Sequence, residues 1–229
     1  HTPIVPTPEW EGKSGLGMYG DFVMQTENVV GEIQKALTEI GQVDNTLIIF
    51  TSDNGCSKAA GIGELAKQGH IVSADLRGSK ADLWDGGHRI PFIVKWPGKV
   101  KPGSESDQLI CLTDLFASMT DLLGQKALEN GAEDSVSFLP ALYGKKIVST
   151  RKGVIHHSIS GHFAYRQGPW KLLLAKASGG WTSPREKQAP DGSPPGQLYN
   201  MSTDLGEKKN LFKEKPEMVA SLLALLEKD

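Results

Sequence analysis

The sequence predicts an α/β fold that ends in a smaller part made of antiparallel strands and a helix, and three patterns predict it. Apolar residues at helical spacing over 18–42 lead within a few residues to an apolar run at 47–52. That run lacks the alternation of a half-buried strand, which is typical of a strand buried on both faces of a parallel sheet. After residue 146, short apolar runs separated by turn residues favour an antiparallel sheet.

The elements of the first half follow from spacing and from turn residues. The first helix has one apolar face, which we expect to pack on the sheet and which contains Phe22, Val29, Val30, Ile33, Leu37 and Ile40. Residues 57–83 predict a long irregular loop, and loops of that length tend to be functional. Residues 91–96 predict a second buried strand, and 113–123 predict a helix that ends at Gly124.

The second half contains shorter elements. Residues 154–159, 163–166 and 170–175 predict strands separated by turn residues. Residues 178–196 are rich in glycine, proline and charge, which predicts an exposed loop. Pro216 predicts the first turn of a final helix, where its missing N–H is harmless.

Composition bounds the class of protein. A chain of 229 residues with 38% hydrophobic residues can bury a substantial core. A formal net charge of −2 argues against nucleic acid or an anionic membrane as the main partner, and no apolar stretch approaches the length of a membrane span. Two cysteines are too few for a disulfide framework, and we expect Cys111, between apolar neighbours, to be a buried small residue.

Asp53 and Asn54 directly follow the first apolar run. In open α/β sheets, ligands bind at the carboxyl ends of the strands. A carboxylate and an amide carbonyl are hard oxygen donors of the kind that Ca²⁺ or Mg²⁺ accepts. The same Asp-Asn-Gly sequence also fits an ordinary turn, so the pair alone leaves both interpretations open.

Several motifs occur in an order that resembles the sulfatases, in particular the arylsulfatase type of the alkaline-phosphatase superfamily. They are Asp-Asn-Gly at 53–55, Arg-Gly-Ser-Lys at 77–80, Asp-Gly-Gly-His-Arg-Ile-Pro at 85–91, Trp-Pro-Gly at 96–98, Arg-Gln-Gly-Pro-Trp-Lys at 166–171 and Leu-Tyr-Asn-Met at 198–201. The resemblance implies part of an alkaline-phosphatase-like sheet domain with flanking helices over 1–143. A small antiparallel-sheet plus helix subdomain over 144–229 would follow it.

The resemblance also implies roles for the motif residues. Asp53 and Asn54 would hold a Ca²⁺, with Mg²⁺ as an alternative, and Lys80 would bring its ammonium to the sulfate group. His1, at the start of a His-x-Pro sequence, would protonate the leaving oxygen. His70 and Arg77 are tentative substrate contacts. Without the surrounding motifs, Lys80 would be interpreted as a solvated surface lysine. For His70, an ordinary loop histidine without a substrate contact stays open as an equal alternative.

The motif for the sulfatase nucleophile does not occur in this chain. The family makes a formylglycine from the cysteine of Cys-x-Pro-x-Arg or Cys-x-Ala-x-Arg, whereas Cys56 precedes Ser-Lys-Ala-Ala and Cys111 precedes Leu-Thr-Asp-Leu. We therefore expect the chain to be the later part of a sulfatase, with formylglycine in the missing N-terminal part. Exposed strand edges would then favour association with that N-terminal half or self-association.

The predicted function is that of a sulfuric ester hydrolase acting on a sulfate ester by a Ca²⁺-assisted formylglycine mechanism in the intact protein. We expect the 229-residue chain alone to be inactive. Two alternatives stay open: a non-catalytic structural or binding half of a complex, and a related phosphate or phosphonate ester hydrolase. By family, the protein would be secreted, periplasmic or lysosomal.

Overall fold

The structure is a computed structural model that describes residues 2–126, 130–148 and 151–228, so the predicted role of His1 lies outside the described residues. The helices are α1 (Gly17–Glu39), α2 (Ile62–Lys67), α3 (Asp85–His88), α4 (Asp114–Leu122), α5 (Leu139–Leu142) and α6 (Pro216–Leu226). The strands are β1 (Ile48–Thr51), β2 (Phe92–Lys95), β3 (Val154–His157), β4 (Phe163–Gln167), β5 (Trp170–Leu173) and β6 (Gln197–Asn200). Among the described residues, no helix combines the length and apolarity needed to cross a bilayer.

Strands β1 and β2 form a two-stranded antiparallel sheet, with Ile48 opposite Lys95 and Thr51 opposite Phe92. The prediction that the first apolar run pairs in a parallel sheet is wrong for the described residues. All four residues of β1 are half-buried, and β2 alternates between half-buried and exposed positions. An apolar run indicates that both faces of a strand can pack against other groups, but it does not indicate the direction of the neighbouring strand.

Helix α1 begins and ends close to its predicted limits, but its apolar face is not covered. Its buried residues are Gly20 and Asp21, whereas Val29 and Ile33 are about half exposed. The prediction that this face packs on the sheet is therefore wrong within the described part of the chain. Asp21 instead stabilises the opening segment by accepting hydrogen bonds from the Gly12 and Ser14 N–H groups, at 2.9 and 2.7 Å.

The C-terminal sheet is antiparallel throughout, in the order β3-β4-β5-β6. This confirms the three predicted strands and their antiparallel arrangement, whereas β6 was not predicted. Helix α6 covers one face, where Val219 and Leu222 pack among Tyr165, Leu172 and Leu198. The other face packs against Leu83 and Trp84, in a cluster completed by Ala164, Leu173, Ala175, Tyr199 and Met201. A segment that precedes β2 thus covers a sheet formed after residue 150.

Two helix ends follow the sequence prediction. Gly124 has φ +62 just after α4, and Pro216 is the first residue of α6. Two loop predictions need correction. The predicted irregular loop at 57–83 contains α2. The predicted exposed loop at 178–196 begins with a buried residue, Ser178, whose carbonyl oxygen accepts the Leu83 N–H at 2.8 Å.

Cys111 also differs from its prediction as a buried apolar residue. It is half-buried, and its sulfur lies 3.2 Å from a guanidinium nitrogen of Arg151. The same guanidinium pairs with the buried carboxylate of Asp114, at 2.7 Å. The apolar neighbours in the sequence did not reveal this ion pair, because Arg151 is forty positions further along the chain.

Candidate active site

Two backbone hydrogen bonds bring the separate motifs together. The Gly55 N–H donates to the Gly87 carbonyl oxygen, and the Lys80 N–H donates to the Cys56 carbonyl oxygen, both at 2.9 Å. The turn that carries Asp53 and Asn54 is therefore held against the segment that carries Lys80. These residues lie in one place in the fold although they are more than twenty positions apart in the sequence.

The glycines of these motifs allow the close approach of three backbone segments. A Cβ atom added to Gly55 would lie 1.8 Å from the Gly86 carbonyl oxygen. One added to Gly86 would lie 2.4 Å from the Gly78 carbonyl oxygen, and one added to Gly87 would lie 2.7 Å from the Ser79 carbonyl oxygen. Because a side chain does not fit at these three positions, the packing of the segments requires the glycines of the Asp-Asn-Gly and Gly-Gly motifs.

The loop that carries Lys80 is organised by the buried carboxylate of Asp82. One oxygen accepts the Ser79 N–H at 2.8 Å, and the other accepts the Trp181 and Thr182 N–H groups at 2.8 and 2.9 Å. Ala81 has φ +83, a conformation that costs a non-glycine residue free energy and persists only when its surroundings hold it. The half-buried Lys80 side chain forms no ion pair with any described residue.

Asp53 and Asn54 follow β1, and their side-chain oxygen atoms have few hydrogen-bond partners among the described residues. Asp53 is exposed, and its carboxylate has one hydrogen-bond partner among the described residues, the Ser52 hydroxyl at 3.4 Å. Their chemistry fits a hard divalent cation. They supply two ligands, whereas Ca²⁺ takes six to eight, and no three His, Cys, Asp or Glu residues gather into a metal site within the described ranges.

His70 is half-buried beside Tyr19, with ring centroids 6.3 Å apart. Burial raises the pKa of Tyr19 to about 12, and the Cys56 side chain contributes to the same shift. Cys56 adjoins Gly55, so His70 lies close to the end of the Asp53 turn. The predicted substrate contact of His70 stays a prediction, and this position is compatible with it.

Arg77 contacts the C-terminal subdomain. Its guanidinium carbon lies 3.6 Å from the centroid of the Trp84 ring, and Nη1 donates to the Glu207 carbonyl oxygen at 2.7 Å. These contacts support a bracing role between the two parts of the chain. The predicted substrate contact of Arg77 stays a prediction.

The sequence analysis missed a buried charge network behind the Lys80 loop. The fully buried Lys171 ammonium contacts Asp85 at 2.6 Å, Glu207 at 2.9 Å and the Leu83 carbonyl oxygen at 2.7 Å. Burial acts to raise the pKa of Asp85, but the Lys171 ammonium overrides it and lowers that pKa. Burial raises the pKa of Glu207. The available signal was a lysine between the apolar residues Trp170 and Leu172 of a predicted strand.

His88 and His156 form a ring pair at the edge of this network, with centroids 4.3 Å apart. Burial lowers the pKa of His88 to about 4, and the nearby Lys171 ammonium adds to the shift. Burial also lowers the pKa of His156 well below its usual value. Both rings are therefore neutral at neutral pH, and His88 Nε2 has no hydrogen-bond partner in the described residues.

The fold and the arrangement of motifs define an alkaline-phosphatase-like hydrolase fold. A solved structure whose description concerns the metabolism of multiple glycosaminoglycans by Bacteroides thetaiotaomicron superimposes with a TM-score of 0.84, at 36% identity. The superposition covers 100% of this chain and 48% of that chain. The family model named Sulfatase matches residues 2–125, and the chain belongs to the sulfatase family.

Curated relatives agree with this membership. An N-acetylgalactosamine-6-O-sulfatase of Bacteroides thetaiotaomicron is 40% identical over 99% of this chain and 44% of its own length. A steryl-sulfatase of Rattus norvegicus is 34% identical over 69% of this chain and 27% of its own length. The chain thus spans less than half the length of these relatives.

Proposed function

We propose that this chain forms the later part of a sulfuric ester hydrolase and supplies part of its active site. The observation that carries the proposal is the pair of backbone hydrogen bonds that hold Gly55 against Gly87 and Lys80 against Cys56. They hold the backbone of the turn with Asp53 and Asn54 against the backbone of the loop with Lys80, which supports the proposal that two oxygen ligands and an ammonium group act at one site. A sulfate ester requires charge neutralisation at its oxygens, and this arrangement can provide it.

Lys80 is the proposed electrostatic catalyst. Its ammonium is a compact charge on a flexible stem, and no described residue pairs with it. It would donate a hydrogen bond to a sulfate oxygen or to the bridging oxygen as negative charge develops there. Asp82 holds the loop so that this charge is in place before the reaction, which is the preorganisation that electrostatic catalysis requires.

Asp53 and Asn54 would hold a divalent cation, Ca²⁺ or Mg²⁺, together with ligands from outside the described residues. The bound cation would supply positive charge to a sulfate oxygen. The nucleophile, a formylglycine by family, and the proton donor role assigned to His1 also belong to this proposal. Because the chain covers 44% of the length of the Bacteroides relative, we place the remaining groups in the rest of a longer polypeptide.

The substrate class is proposed from the relatives. The relative that matches 99% of this chain at 40% identity is named for a 6-O-sulfated amino sugar, whereas a steryl-sulfatase matches 93% of this chain at 29% identity. The match at higher identity includes the C-terminal part of the chain, which packs around the Lys80 loop. We therefore propose a sulfated carbohydrate as the substrate.

The test compares two lysines in a longer polypeptide that contains this chain. Lys80→Ala should lower kcat for a chromogenic aryl sulfate by roughly 10²–10³-fold, the loss expected for one preorganised donor. Lys67→Ala is the matched control, because that lysine is an exposed residue of α2 paired with Glu64, and it should leave kcat unchanged. Equal rates for Lys80→Ala and the unaltered protein would remove Lys80 from the mechanism.

The 229-residue chain alone provides a second test. It should not turn over the aryl sulfate, and calorimetry should detect weak Ca²⁺ binding that is lost in Asp53→Ala. Turnover by the pure chain that is abolished in Lys80→Ala, or a micromolar Ca²⁺ site, would show that this chain alone completes the site. Either result would contradict the proposal that the rest of a longer polypeptide supplies the remaining groups.

A further inference from the structure

The segment 181–185 from the C-terminal subdomain lies beside the Lys80 loop. Asp82 accepts hydrogen bonds from the Trp181 and Thr182 N–H groups, and the Thr182 hydroxyl lies 3.1 Å from the Ser79 hydroxyl. The Cα atoms of Lys80 and Trp181 are at most roughly 15 Å apart, since consecutive Cα atoms are separated by 3.8 Å and one hydrogen bond joins the two segments. That distance is within reach of a ligand of two sugar rings.

Trp181 presents an aromatic side chain at the surface of this segment. Its backbone is tied down by Asp82, yet the residue is 39% exposed. The carbonyl oxygen of Trp181 accepts hydrogen bonds from Lys58 Nζ and from Arg185 Nε, the latter at 3.2 Å. Two cationic side chains therefore meet at the backbone of an exposed tryptophan, in the segment that Asp82 ties to the Lys80 loop.

The two cations keep most of their binding capacity. Lys58 and Arg185 are exposed, and neither forms an ion pair with a described residue. The two adjacent carboxylates bind backbone N–H groups instead of these cations. Asp82 accepts hydrogen bonds from the backbone of the Lys80 loop and of the Trp181 segment. Glu186 accepts from the N–H groups of Lys176, Ala177 and Gly179. A guanidinium has five N–H donors in a planar fork that matches a carboxylate, and Arg185 uses one of them on Trp181.

We propose that Trp181, Arg185 and Lys58 form the substrate-recognition rim of this site, and that the rim selects an acidic saccharide that bears the sulfate ester. The C–H face of a pyranose ring would pack on the Trp181 indole. A carboxylate on the neighbouring sugar would bind Arg185, with Lys58 adding positive charge. The sulfate ester of a flat apolar alcohol could pack on the Trp181 ring, but it would have no carboxylate for Arg185 and Lys58 to bind. The inference rests on the proposed function and adds the anionic neighbouring sugar to it.

The test uses steady-state kinetics and calorimetry on a longer polypeptide that contains this chain, with three substrates. These are a disaccharide with a hexuronate next to a 6-O-sulfated sugar, the same disaccharide with its carboxylate reduced to an alcohol, and a chromogenic aryl sulfate. Trp181→Ala should raise KM for both disaccharides roughly three- to tenfold, the effect of one lost aromatic contact, with kcat within twofold. Trp181→Phe should restore most of the affinity.

Arg185→Ala separates recognition from structural support. It should raise KM for the hexuronate disaccharide several-fold and leave KM for the reduced disaccharide unchanged, because the reduced compound has no charge for the guanidinium to bind. Lys187→Ala is the matched control: this neighbouring residue is exposed and should change neither constant. Calorimetric affinities of the two disaccharides should change in parallel with KM.

The outcomes distinguish the two proposals. If no sulfate ester is turned over, the proposed function fails. If the aryl sulfate is turned over while Trp181→Ala and Arg185→Ala leave KM for the hexuronate disaccharide unchanged, the rim inference fails and the proposed function stands. A KM increase in Arg185→Ala that is equal for both disaccharides would also overturn it, because recognition would then not involve the carboxylate.

Discussion

The two sheets of this molecule differ in how completely they are covered. The four-stranded sheet has α6 on one face and the Leu83–Trp84 segment on the other, and its central side chains are fully buried. The β1–β2 sheet and α1 contain only half-buried or exposed apolar residues, and Ile93 is 61% exposed. A well-covered core therefore supports the Lys80 loop, whereas the segment with the proposed metal ligands adjoins a poorly covered one.

The difference shows that the two segments of the candidate site are supported in different ways. The Lys80 loop is held by Asp82 and by the buried charges behind it, all within the described residues. The Asp53 turn is held against the same loop through the hydrogen bond from Gly55 to Gly87, although β1 pairs with one strand, β2, among the described residues. The four predictions below test this contrast.

The largest effect should come from Lys171→Ala. The substitution leaves Asp85 and Glu207 buried without a counter-charge, which should lower the free energy of unfolding by about 3–5 kcal/mol. Urea unfolding followed by tryptophan fluorescence measures it. The control Lys209→Ala removes a pair whose side chains are 68% and 54% exposed and should cost about 1 kcal/mol or less. Similar losses in both variants would show that the buried network does not stabilise the well-covered sheet.

At neutral pH, Gly86→Ala should have the next largest effect. The added Cβ would lie 2.4 Å from the Gly78 carbonyl oxygen, so the backbone must shift at a cost of about 1–3 kcal/mol. Gly31→Ala is the matched control, since its Cβ would meet no atom within 4 Å and alanine favours the helix by about 1 kcal/mol. Denaturant midpoints should therefore shift in opposite directions, and a neutral Gly86→Ala would argue against close packing of the motifs.

Acidification should weaken the four-stranded part. His88 has a pKa of about 4 in the fold against 6.5 in the unfolded chain, so the unfolded chain binds the proton first. The His88 contribution to stability is complete at neutral pH and is lost as the pH falls from 6.5 towards 4, by an amount on the order of 3 kcal/mol. Melting temperatures across this range should depend less on pH in His88→Phe than in the control His70→Phe. Identical pH profiles for the two variants would contradict the shift.

The smallest effect on stability, but a clear effect on association, should come from the α1 face. Ile33 is 50% exposed, so Ile33→Lys should change the free energy of unfolding by less than about 0.5 kcal/mol. Light scattering should show self-association of the 229-residue chain that decreases in this variant. The control Lys35→Gln changes an exposed position of the same helix without removing apolar surface. A monomeric unaltered chain at high concentration would indicate that the first sheet is self-sufficient.

Much of the fold was predictable because local patterns specify it. Helix α1, helix α4 with Gly124 and helix α6 with Pro216 follow from apolar spacing and from residues with restricted or unusual backbone angles. The C-terminal strands follow from short apolar runs between turns. The direction of β1 and the exposure of α1 were not predictable, because each depends on which distant segment lies alongside.

The candidate site divides in the same way. The ordered set of motifs that includes Asp53, Asn54 and Lys80 was enough to predict the family, which the comparisons confirmed. The pairing of Lys171 with Asp85 and Glu207 was not predicted, because these partners are 86 and 36 positions away from it in the sequence. Trp181 was predicted to lie in an exposed loop, and tertiary contacts such as its hydrogen bond to Asp82 show that this loop lies beside Lys80.

By itself, the sequence determined the elements that local chemistry controls: the helix ends, the antiparallel strands and the motifs with their glycines. The tertiary structure alone decided which motifs meet, because contacts such as Lys80 with Cys56 and Asp82 with Trp181 join residues far apart in the chain. It also decided which charges are buried. Burial depends on the summed packing of many segments, and no local pattern around Lys171 encodes that it ends between two carboxylates.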